Sequence, residues 1–484
     1  MIAYPLLACF FMGVASFFFK SNLRCQRVLA VVGSFSVLVI SVLQALEVYH
    51  AGPQILAFGN WQAPYGISFR VDLLSALLIT VSAFIYFCGV MGSIAARIVK
   101  AELKGYYTLF HFLMFGIFGA FSTGDLFNLY VWFEVLLFSS FFLVTVQGKQ
   151  RAYAGGFKYA AINVLASLIF LSGVALIYSS TGTLNLLELK SLNTGEVSSS
   201  FVIGIGILSV AFLTKAAIFP FHFWLPASYP LTTTPVVAVF SGLLTKIGIY
   251  GLLRILAPFN ESMPAGLAMA LQIMALASMI FGVLGALSQD NMKGILAFHS
   301  ISQLGYILLA FTLNTPLGIA ACVFYMAHHM LVKTNLFLVV SSIETTAGST
   351  AIAKVGGMMQ KSPMLAILFA IPALSLAGIP PLMGFWAKVF TIQGLLQNRS
   401  IVAVLVSLAV SLLTMMSMLK IWLGVFWKPA PDDTPLEVKS PCKRWILVPL
   451  ILLALASILL GVFSGTGNEI VQQIAVKIMS KESI

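Results

Sequence analysis

Residues 377–384 read Ala-Gly-Ile-Pro-Pro-Leu-Met-Gly, and they lie inside a mostly apolar stretch of 33 residues, 364–396. A continuous helix of that length would be about 50 Å long, well beyond the roughly 30 Å of bilayer hydrocarbon. Two adjacent prolines flanked by glycines also remove amide donors and disfavour a continuous helix. The sequence therefore predicts a membrane helix broken at mid-depth, which is tolerated where the backbone lines protein or internal water.

A second break is predicted near Lys215, because Pro220 follows within the apolar stretch 201–223. The two breaks fall in the seventh and twelfth apolar stretches, five stretches apart, so these segments cross the membrane in opposite directions. Broken helices in corresponding positions of two halves are a good sequence indication of a transporter site. We therefore expect two inverted five-helix repeats, formed by stretches 4–8 and 9–13.

The composition predicts an all-α polytopic membrane protein. Hydrophobic residues make up 60% of the 484 residues and charged residues 9%, with a mean hydropathy of +1.01, whereas soluble domains carry roughly 25% charged residues. About fourteen apolar stretches are each about 20 residues or longer, enough to cross the bilayer. Their bounds are 2–19, 28–48, 71–96, 106–122, 125–146, 157–178, 201–223, 235–256, 264–287, 294–313, 317–342, 364–396, 401–426 and 445–463.

These stretches divide the chain into four predicted regions. Residues 1–104 hold helices 1–3, and residues 105–258 hold the first repeat, helices 4–8. Residues 259–428 hold the second, inverted repeat, helices 9–13. Residues 429–484 hold a cytoplasmic loop, helix 14 and an outward tail.

Basic residues predict the orientation. Of the 27 Lys and Arg residues, 16 follow stretches 1, 3, 5, 9, 11 or 13, 6 lie on the other side, and 5 lie within stretches. By the positive-inside rule the side with 16 is cytoplasmic, so we expect both termini to face outward from a bacterial cell (inner) membrane. The net charge of +12 then follows from topology, and no nucleic-acid partner is expected.

No cofactor is expected either. The five cysteines, at positions 9, 25, 88, 322 and 442, form no Cys-x-x-Cys pair, which disfavours iron–sulfur and zinc sites. The glycines form no Walker or dinucleotide-binding fingerprint. A nucleotide-driven pump is therefore disfavoured.

Five charged residues lie where a bilayer should exclude them: Glu134, Lys215, Lys246, Lys333 and Lys388. Glu134 is the tenth of 22 residues in its stretch and Lys246 the twelfth of 22, so both are near mid-depth. A charge at the bilayer centre costs roughly 2.5–3.5 kcal/mol unless it meets a partner or internal water. We therefore expect the five to face one another, as a proton path or as buried structural ion pairs. The excess of lysines over carboxylates favours the path.

Other polar residues have structural explanations. Lys420, near the end of its stretch, is expected to reach the cytoplasmic surface with its ammonium group. Asp125 is expected to cap the start of a helix. Arg70 and Asp72 are expected to pair with each other or to cap the third helix.

Several segments resemble one family. Residues 123–134 (Thr-Gly-Asp-Leu-Phe-Asn-Leu-Tyr-Val-Trp-Phe-Glu) and 215–226 (Lys-Ala-Ala-Ile-Phe-Pro-Phe-His-Phe-Trp-Leu-Pro) are similar to the antiporter-like subunits shared by Mrp cation/proton antiporters and respiratory complex I. Residues 243–250, 300–306 and 376–381 extend the resemblance over nearly the whole chain. Ala-Ser-Tyr-Pro at 227–230 resembles the Mrp pattern, and we do not expect a long lateral helix after the fourteenth stretch. The closer match is the D-subunit family of the Mrp antiporters.

The resemblance implies a proton-translocating subunit of a multisubunit Na⁺ or other monovalent cation/proton antiporter, a transporter and not an enzyme. Its partners would be the other subunits of the complex, protons, the cation and the lipid bilayer. It further implies a proton relay made by the glutamate of helix 5 and the lysines of helices 7, 8, 11 and 12, which are Glu134, Lys215, Lys246, Lys333 and Lys388.

The chemistry of these residue types suits a relay. Burial among apolar walls disfavours the protonated form of a lysine, and a nearby carboxylate favours it. Movement of Glu134 relative to Lys215 would therefore change whether Lys215 holds its proton. His329 lies four residues before Lys333, on the same helix face, and His328 adjoins it. Either histidine is a proton-passing imidazole or a satisfied core residue, and the sequence favours neither reading.

A second function class would use the same residues. It is a proton-pumping membrane subunit of a redox complex, such as NADH:quinone oxidoreductase or a membrane-bound hydrogenase. Flavin or iron–sulfur absorbance in the intact complex would favour that class, and the absence of redox cofactors would favour the antiporter. A direct Na⁺ site in this chain is not expected, because Na⁺ prefers clustered oxygens and one mid-span carboxylate is visible.

Overall fold

Helices make up nearly all of the structure. The computed structural model describes residues 2–148, 150–191, 198–429 and 444–480, without the side chains of 260–262, 444 and 446. Each of the fourteen predicted stretches is helical. The helices are α1 (Tyr4–Phe18), α2 (Leu23–Ala51), α3 (Leu73–Ala95), α4 (Val99–Glu102), α5 (Tyr106–Ser122), α6 (Leu126–Thr145), α7 (Gln150–Thr181), α8 (Leu186–Ser191), α9 (Ser199–Lys215), α10 (Trp224–Ser228), α11 (Thr234–Leu256), α12 (Ala265–Leu287), α13 (Met292–Thr312), α14 (Pro316–Ala347), α15 (Met358–Lys361), α16 (Pro363–Ala377), α17 (Met383–Gln397), α18 (Ile401–Ile421), α19 (Arg444–Val462) and α20 (Ser464–Met479).

Length and composition identify the membrane helices. Within the described ranges nine helices can cross a bilayer, or ten if the bent pair α19–α20 counts as one span. Four apolar helices, α1, α5, α9 and α16, are shorter, the last two because the chain breaks at their ends. The chain is therefore a multi-pass membrane protein. The count of fourteen spans and the division at residues 104, 258 and 428 stay predictions.

Both predicted helix breaks are present, at the ends of α9 and α16. Each contains one residue with positive φ, Ala217 at 55° and Gly378 at 91°, the left-handed conformation that commonly ends a helix. The next amide, of Ile218 or Ile379, bonds to the carbonyl five residues earlier, at 3.0 and 3.1 Å respectively. The two breaks therefore share one backbone pattern.

A second pair of matching features lies at the helix ends. Asp125 forms an isolated β-bridge with Asn185 beside the start of α6, and Asn291 forms one with Ala351 beside the start of α13. Two amide–carbonyl bonds of 2.9–3.0 Å flank each bridge in the same arrangement. On the predicted topology five spans (α6, α7, α9–α10, α11 and α12) separate the bridges, so the two bridges are expected on opposite faces of the membrane. Similar units in opposite orientations are what an inverted repeat requires.

The helices form an inner group and an outer ring. Protein almost wholly buries α11, α13 and α14, whereas most residues in the apolar parts of α2, α7, α12 and α18 are at least partly exposed. That exposed surface suits contact with lipid. We call the face with the connections after α1, α3, α6, α12, α14 and α18 the basic face, because most loop lysines and arginines lie there.

Two elements differ from the all-α expectation. On the face opposite the basic face, β1 (Gln54–Ala57) and β2 (Ser68–Val71) form an antiparallel hairpin. The expected outward tail contains α20, which turns 81° from the preceding helix. Its residues Val471, Ile474 and Ile478 are buried, and this helical spacing gives α20 an apolar stripe. The stripe packs against the protein, including α14.

Asp125, Asp72 and Lys420, for which the sequence predicted capping or surface roles, have roles close to those predictions. Asp125 caps α6 and Asp72 caps α3, each by accepting a backbone amide hydrogen bond, at 2.8 and 3.0 Å. The ion-pair partner of Asp72 is Arg254, at 2.6 Å, and not Arg70. Arg254 contacts Asp72 from the end of α11. The two residues are 182 positions apart in the sequence, so the sequence alone did not predict this pair. Lys420 reaches the α12–α13 connection on the basic face.

Candidate functional site

Two of the predicted lysines meet at the centre of the bundle. Lys246 of α11 and Lys333 of α14 are completely buried. Lys246 donates to the Ser241 carbonyl of its own helix, and Lys333 donates to the Leu296 carbonyl at 3.0 Å. The Ser241 and Ser300 hydroxyls are 3.1 Å apart, and the Ser300 hydroxyl also donates to the Leu296 carbonyl at 3.1 Å. Both ammonium groups therefore lie beside one serine pair that joins α11 and α13.

Buried histidines lie next to these lysines. His329, one turn before Lys333, is within electrostatic range of both Lys246 and Lys333. Neither of its ring nitrogens has a hydrogen-bond partner in the part of the chain that the structure describes. His299 of α13 is within range of Lys333 and Lys388. His299 is therefore near both the lysine at the serine pair and the lysine at the second helix break, and His329 is near the two central lysines and His299.

Lys388 of α17 lies at the second helix break. Its ammonium group donates to the carbonyl of Ala377, the last residue of α16, at 2.9 Å, and lies 5.2 Å from the Tyr306 ring centre. A helix end leaves such carbonyls without intrahelical donors, so the lysine satisfies one of them. His328 Nε2 is 3.0 Å from the Ser375 hydroxyl near the same helix end. The break thus holds a lysine and a histidine side by side.

Glu134 and Lys215 form a separate pair. Lys215, the last residue of α9, donates to the Asn163 carbonyl and the Ser167 hydroxyl, both at 3.4 Å. Its ammonium group is 5.4 Å from the Phe133 ring centre and within electrostatic range of Glu134. Among the described residues, no ion pair of 4.0 Å or less joins Glu134 to Lys215. Glu134 Oε1 is buried, without a hydrogen-bond partner in those same ranges.

The first helix break packs tightly against α11, the helix that carries Lys246. A Cβ on Gly248 of α11 would come within 2.5 Å of the Phe212 carbonyl oxygen and 2.7 Å of the Ala216 amide nitrogen, at the first helix break. Over the described ranges, no hydrogen bond connects Lys215 to Lys246. In the described part of the chain, Glu134 and Lys215 therefore share no direct hydrogen bond with the cluster that contains the other predicted residues, namely Lys246, Lys333, Lys388, His328 and His329.

Sequence reasoning did not single out four polar members of this cluster: Ser241, His299, Ser300 and Gln303. The Gln303 side-chain oxygen accepts a bond from the Tyr325 hydroxyl at 2.6 Å, one turn from His299. Ser300 and Gln303 belong to a segment that carries the family resemblance, so a signal was present for them. Ser241 carried none, because serines in apolar helices commonly bond to their own helix.

A cavity of about 770 Å³ opens on the basic face. Thr234 at the start of α11, Lys293 at the start of α13 and Glu344 near the end of α14 line it. The Lys293 ammonium group is 3.5 Å from the Glu344 carboxylate, to which the Thr234 hydroxyl donates. Ser241 and Ser300 follow Thr234 and Lys293 by seven residues each, which is about 10 Å along a helix. The cavity therefore approaches the serine pair along two buried helices.

Comparison with known proteins gives consistent matches. Residues 123–414 match the NADH:quinone oxidoreductase/Mrp antiporter transmembrane family. The chain is 37% identical to the D-subunit of the Na⁺/H⁺ antiporter of Alkalihalophilus pseudofirmus, over 95% of this chain and 93% of the relative. A chain of the Mrp complex from Dietzia sp. superposes with a TM-score of 0.88 at 31% identity, covering 99% of this chain and 96% of that one. A chain of the membrane-bound sulfane sulfur reductase, an archaeal respiratory membrane complex, superposes with a TM-score of 0.88 at 28% identity, covering 99% and 97%.

Proposed function

Since the chain belongs to the NADH:quinone oxidoreductase/Mrp antiporter family and has relatives named as the D-subunit of the Na⁺/H⁺ antiporter, we propose that it is the proton-translocating subunit of a multisubunit monovalent cation/proton antiporter. The main support is the central cluster. A structural network would match each buried ammonium group with a carboxylate, but Lys246, Lys333 and Lys388 each donate to a carbonyl. Such lysines can release and regain a proton without leaving an unpaired buried carboxylate.

The proposed relay passes through these lysines and the imidazoles near them. A proton moves between Lys246 and Lys333 beside the serine pair, and then past His299 and His329 to Lys388. Internal water completes the contacts that exceed hydrogen-bond length. Neutral imidazole suits this step because one ring nitrogen accepts a proton while the other donates one.

Glu134 and Lys215 would regulate the relay. Their carboxylate and ammonium groups interact electrostatically without a close ion pair in the described ranges. Closing that gap would hold a proton on Lys215, and opening it would release the proton, because a nearby carboxylate favours the charged lysine. Because the end of α9 packs tightly against Gly248 of α11, the movement that changes this gap is assigned to Glu134 on α6.

The cavity on the basic face would give the relay access to the cytoplasm. The positive-inside rule makes the basic face cytoplasmic and puts both termini outside, in a bacterial cell membrane. Glu344 is partly exposed to this cavity, so its carboxylate can exchange protons with water. The remaining 10 Å or so to the serine pair would be crossed by water between α11 and α13.

The repeat organisation is part of the same proposal. The matching breaks and the matching β-bridges support an inverted pair of units, residues 105–258 and 259–428, between the regions 1–104 and 429–484. Two such units in opposite orientations would connect one end of the relay to each side of the membrane. The relatives come from multisubunit complexes, so other subunits are the expected partners, and Na⁺ would cross with their help.

Replacing one regulating group and one relay group tests the proposal. We expect Glu134→Ala and Lys388→Ala to lower ΔpH-driven cation exchange by at least about tenfold, since positioned proton-transfer groups commonly contribute 10²-fold or more. Exchange is measured in vesicles that contain the whole complex at equal amounts. Full exchange by both variants would show that the relay is wrong.

Access through the cavity has its own test. Glu344→Gln keeps the size of the side chain but removes the titrating group, so we expect the exchange rate to fall while complex assembly is retained. Glu469→Gln, an exposed acid on α20, is the matched control and should leave exchange unchanged. Equal rates for the two variants would place the access elsewhere.

A redox-complex membrane protein remains the second candidate. It is favoured by one observation, the TM-score of 0.88 with the sulfane sulfur reductase chain, which equals the score with the Mrp complex chain. Purifying the native complex decides between them. Flavin or iron–sulfur absorbance at stoichiometric level would support the redox complex and overturn the antiporter assignment.

A further inference from the structure

A small cavity lies on the face opposite the basic face, away from the lysine cluster. Its volume is about 40 Å³, enough for about three water molecules or for one anionic group of similar size. Strand β2, the start of α3, α8, the end of α11 and α20 form its walls, so residues far apart in sequence meet there.

The cavity walls carry an excess of positive charge. Arg70, Lys190, Arg254 and Lys477 line it together with a single carboxylate, Asp72. Arg254 and Asp72 satisfy each other through two hydrogen bonds of 2.6 and 2.7 Å. Within the described ranges, the other three cations have no ion pair. Four positive charges and one carboxylate therefore border one cavity, and three of the cations have no ion-pair partner in the described ranges.

Partial burial makes two of these charges, those of Arg70 and Lys190, unfavourable as they stand. The Arg70 Nε is buried and has no hydrogen-bond partner among the described residues. Burial lowers the pKa of Arg70, and burial followed by the charge of Arg70 lowers the pKa of Lys190. The Lys190 ammonium group donates to the Lys477 carbonyl at 3.1 Å, which holds α8 against α20. An anion in the cavity would relieve both the repulsion and the unsatisfied donor.

We propose that this cavity binds a phosphate-type oxyanion, which bridges Arg70 of β2, Lys190 of α8 and Lys477 of α20. A phosphate group offers at least three acceptor oxygens and more than one negative charge, so it satisfies three cations better than a carboxylate does. A guanidinium group matches phosphate geometry through paired N–H donors. Because the three cations come from separate elements, the bound anion fastens α20 across this face.

The phosphate group that binds here could come from either of two sources. The cavity lies at the start of α3 and the end of α11, where a spanning helix is expected to reach the headgroup region, and its wall includes the exposed Lys477. A lipid headgroup and free inorganic phosphate both fit the proposal, and the presence or absence of bound lipid distinguishes them.

Amide hydrogen exchange of α20 in the purified, intact complex tests the proposal. The probe is inorganic phosphate, added at constant ionic strength against chloride, before and after delipidation. At ten times its Kd, phosphate should slow opening of α20, and therefore exchange, by about tenfold. An effect in both preparations identifies free phosphate as the source. An effect after delipidation alone, together with a phospholipid retained through purification, identifies a lipid headgroup.

Variants of the three cations make the test specific. Arg70→Gln, Lys190→Gln and Lys477→Gln should each weaken the saturable effect of phosphate, and Lys477 is exposed, so its variant should fold. Arg399→Gln, an exposed arginine on the same face outside the cavity, should behave as the unmodified chain does. No saturable protection in either preparation, or equal protection in all four variants, would overturn the site. None of these readouts depends on cation transport.

Discussion

At the scale of single residues, main-chain carbonyls take the place of counter-ions. Lys246, Lys333 and Lys388 are buried, and each donates to a carbonyl oxygen. A carbonyl stabilises the charged amine but does not itself need to titrate when the proton leaves. A carboxylate partner would bind the proton-bearing form more strongly and would be left as a buried charge afterwards. The partners at these positions therefore suit proton exchange better than permanent charge pairing.

His329 gives a residue-scale prediction that separates transport from stability. Both of its ring nitrogens are unpartnered in the described ranges, and leaving buried polar atoms unsatisfied costs about 1–3 kcal/mol. We expect His329→Leu to slow ΔpH-driven exchange by about tenfold or more, while the thermal stability of the complex is unchanged or higher. His50→Leu, an exposed histidine, is the control. Unimpaired exchange in His329→Leu would make the imidazole a core residue only.

The sequence reveals individual site residues when they break a strong rule. Glu134 and the four buried lysines stand out because charge is costly in apolar stretches. His299 and Ser241 break no such rule, since histidine and serine are tolerated in helices that pack against other helices. Their significance depends on which helices are neighbours, and a single sequence does not contain that information.

At the scale of elements, the first helix break depends on one close crossing. Gly248 of α11 lies against Phe212 and Ala216, where a Cβ would come within 2.5–2.7 Å of main-chain atoms. Main-chain atoms cannot rotate away as a flexible side chain can. The crossing therefore holds the end of α9, and with it Lys215, at a fixed position beside α11.

Gly248→Ala tests that crossing. Overpacking of this kind costs about 1–3 kcal/mol, so we expect a lower melting temperature and a loss of cation exchange. Gly206→Ala in α9 is the matched control, because nothing lies within 4 Å of the added Cβ. That variant should be neutral or more stable by about 0.5–1 kcal/mol, the usual helical preference for alanine. Similar melting temperatures for the two variants would mean that the crossing is not tight.

The helix breaks could be predicted, and α20 and the hairpin could not. Prolines and glycines inside long apolar stretches act locally, so Pro220 and the 377–384 segment were sufficient. Helix α20 has few strongly apolar residues and forms because its stripe of Val471, Ile474 and Ile478 finds a surface to pack on. Strands β1 and β2 are four residues each, too short for a clear alternating pattern.

At the scale of the whole molecule, polar groups concentrate in the helices that lipid does not reach. Helices α11, α13 and α14 are almost wholly buried, and they carry Lys246, His299 and Lys333. The surrounding helices shield these side chains from hydrocarbon. Composition and hydropathy predicted the membrane class and the helical stretches, because both follow from the bilayer as solvent. The order in which the helices pack required the structure.

Lys333 is the residue at which the proposed relay can be interrupted most directly, since it lies beside the serine pair and within electrostatic range of His299, His328 and His329. The decisive measurement is the initial rate of ΔpH-driven Na⁺ exchange in vesicles containing the intact complex with Lys333→Gln, beside the exposed control Lys354→Gln. We predict that Lys333→Gln reduces the rate at least about tenfold, with equal assembly and with the control unaffected. Equal exchange rates in the two variants would contradict a proton path through the buried lysines.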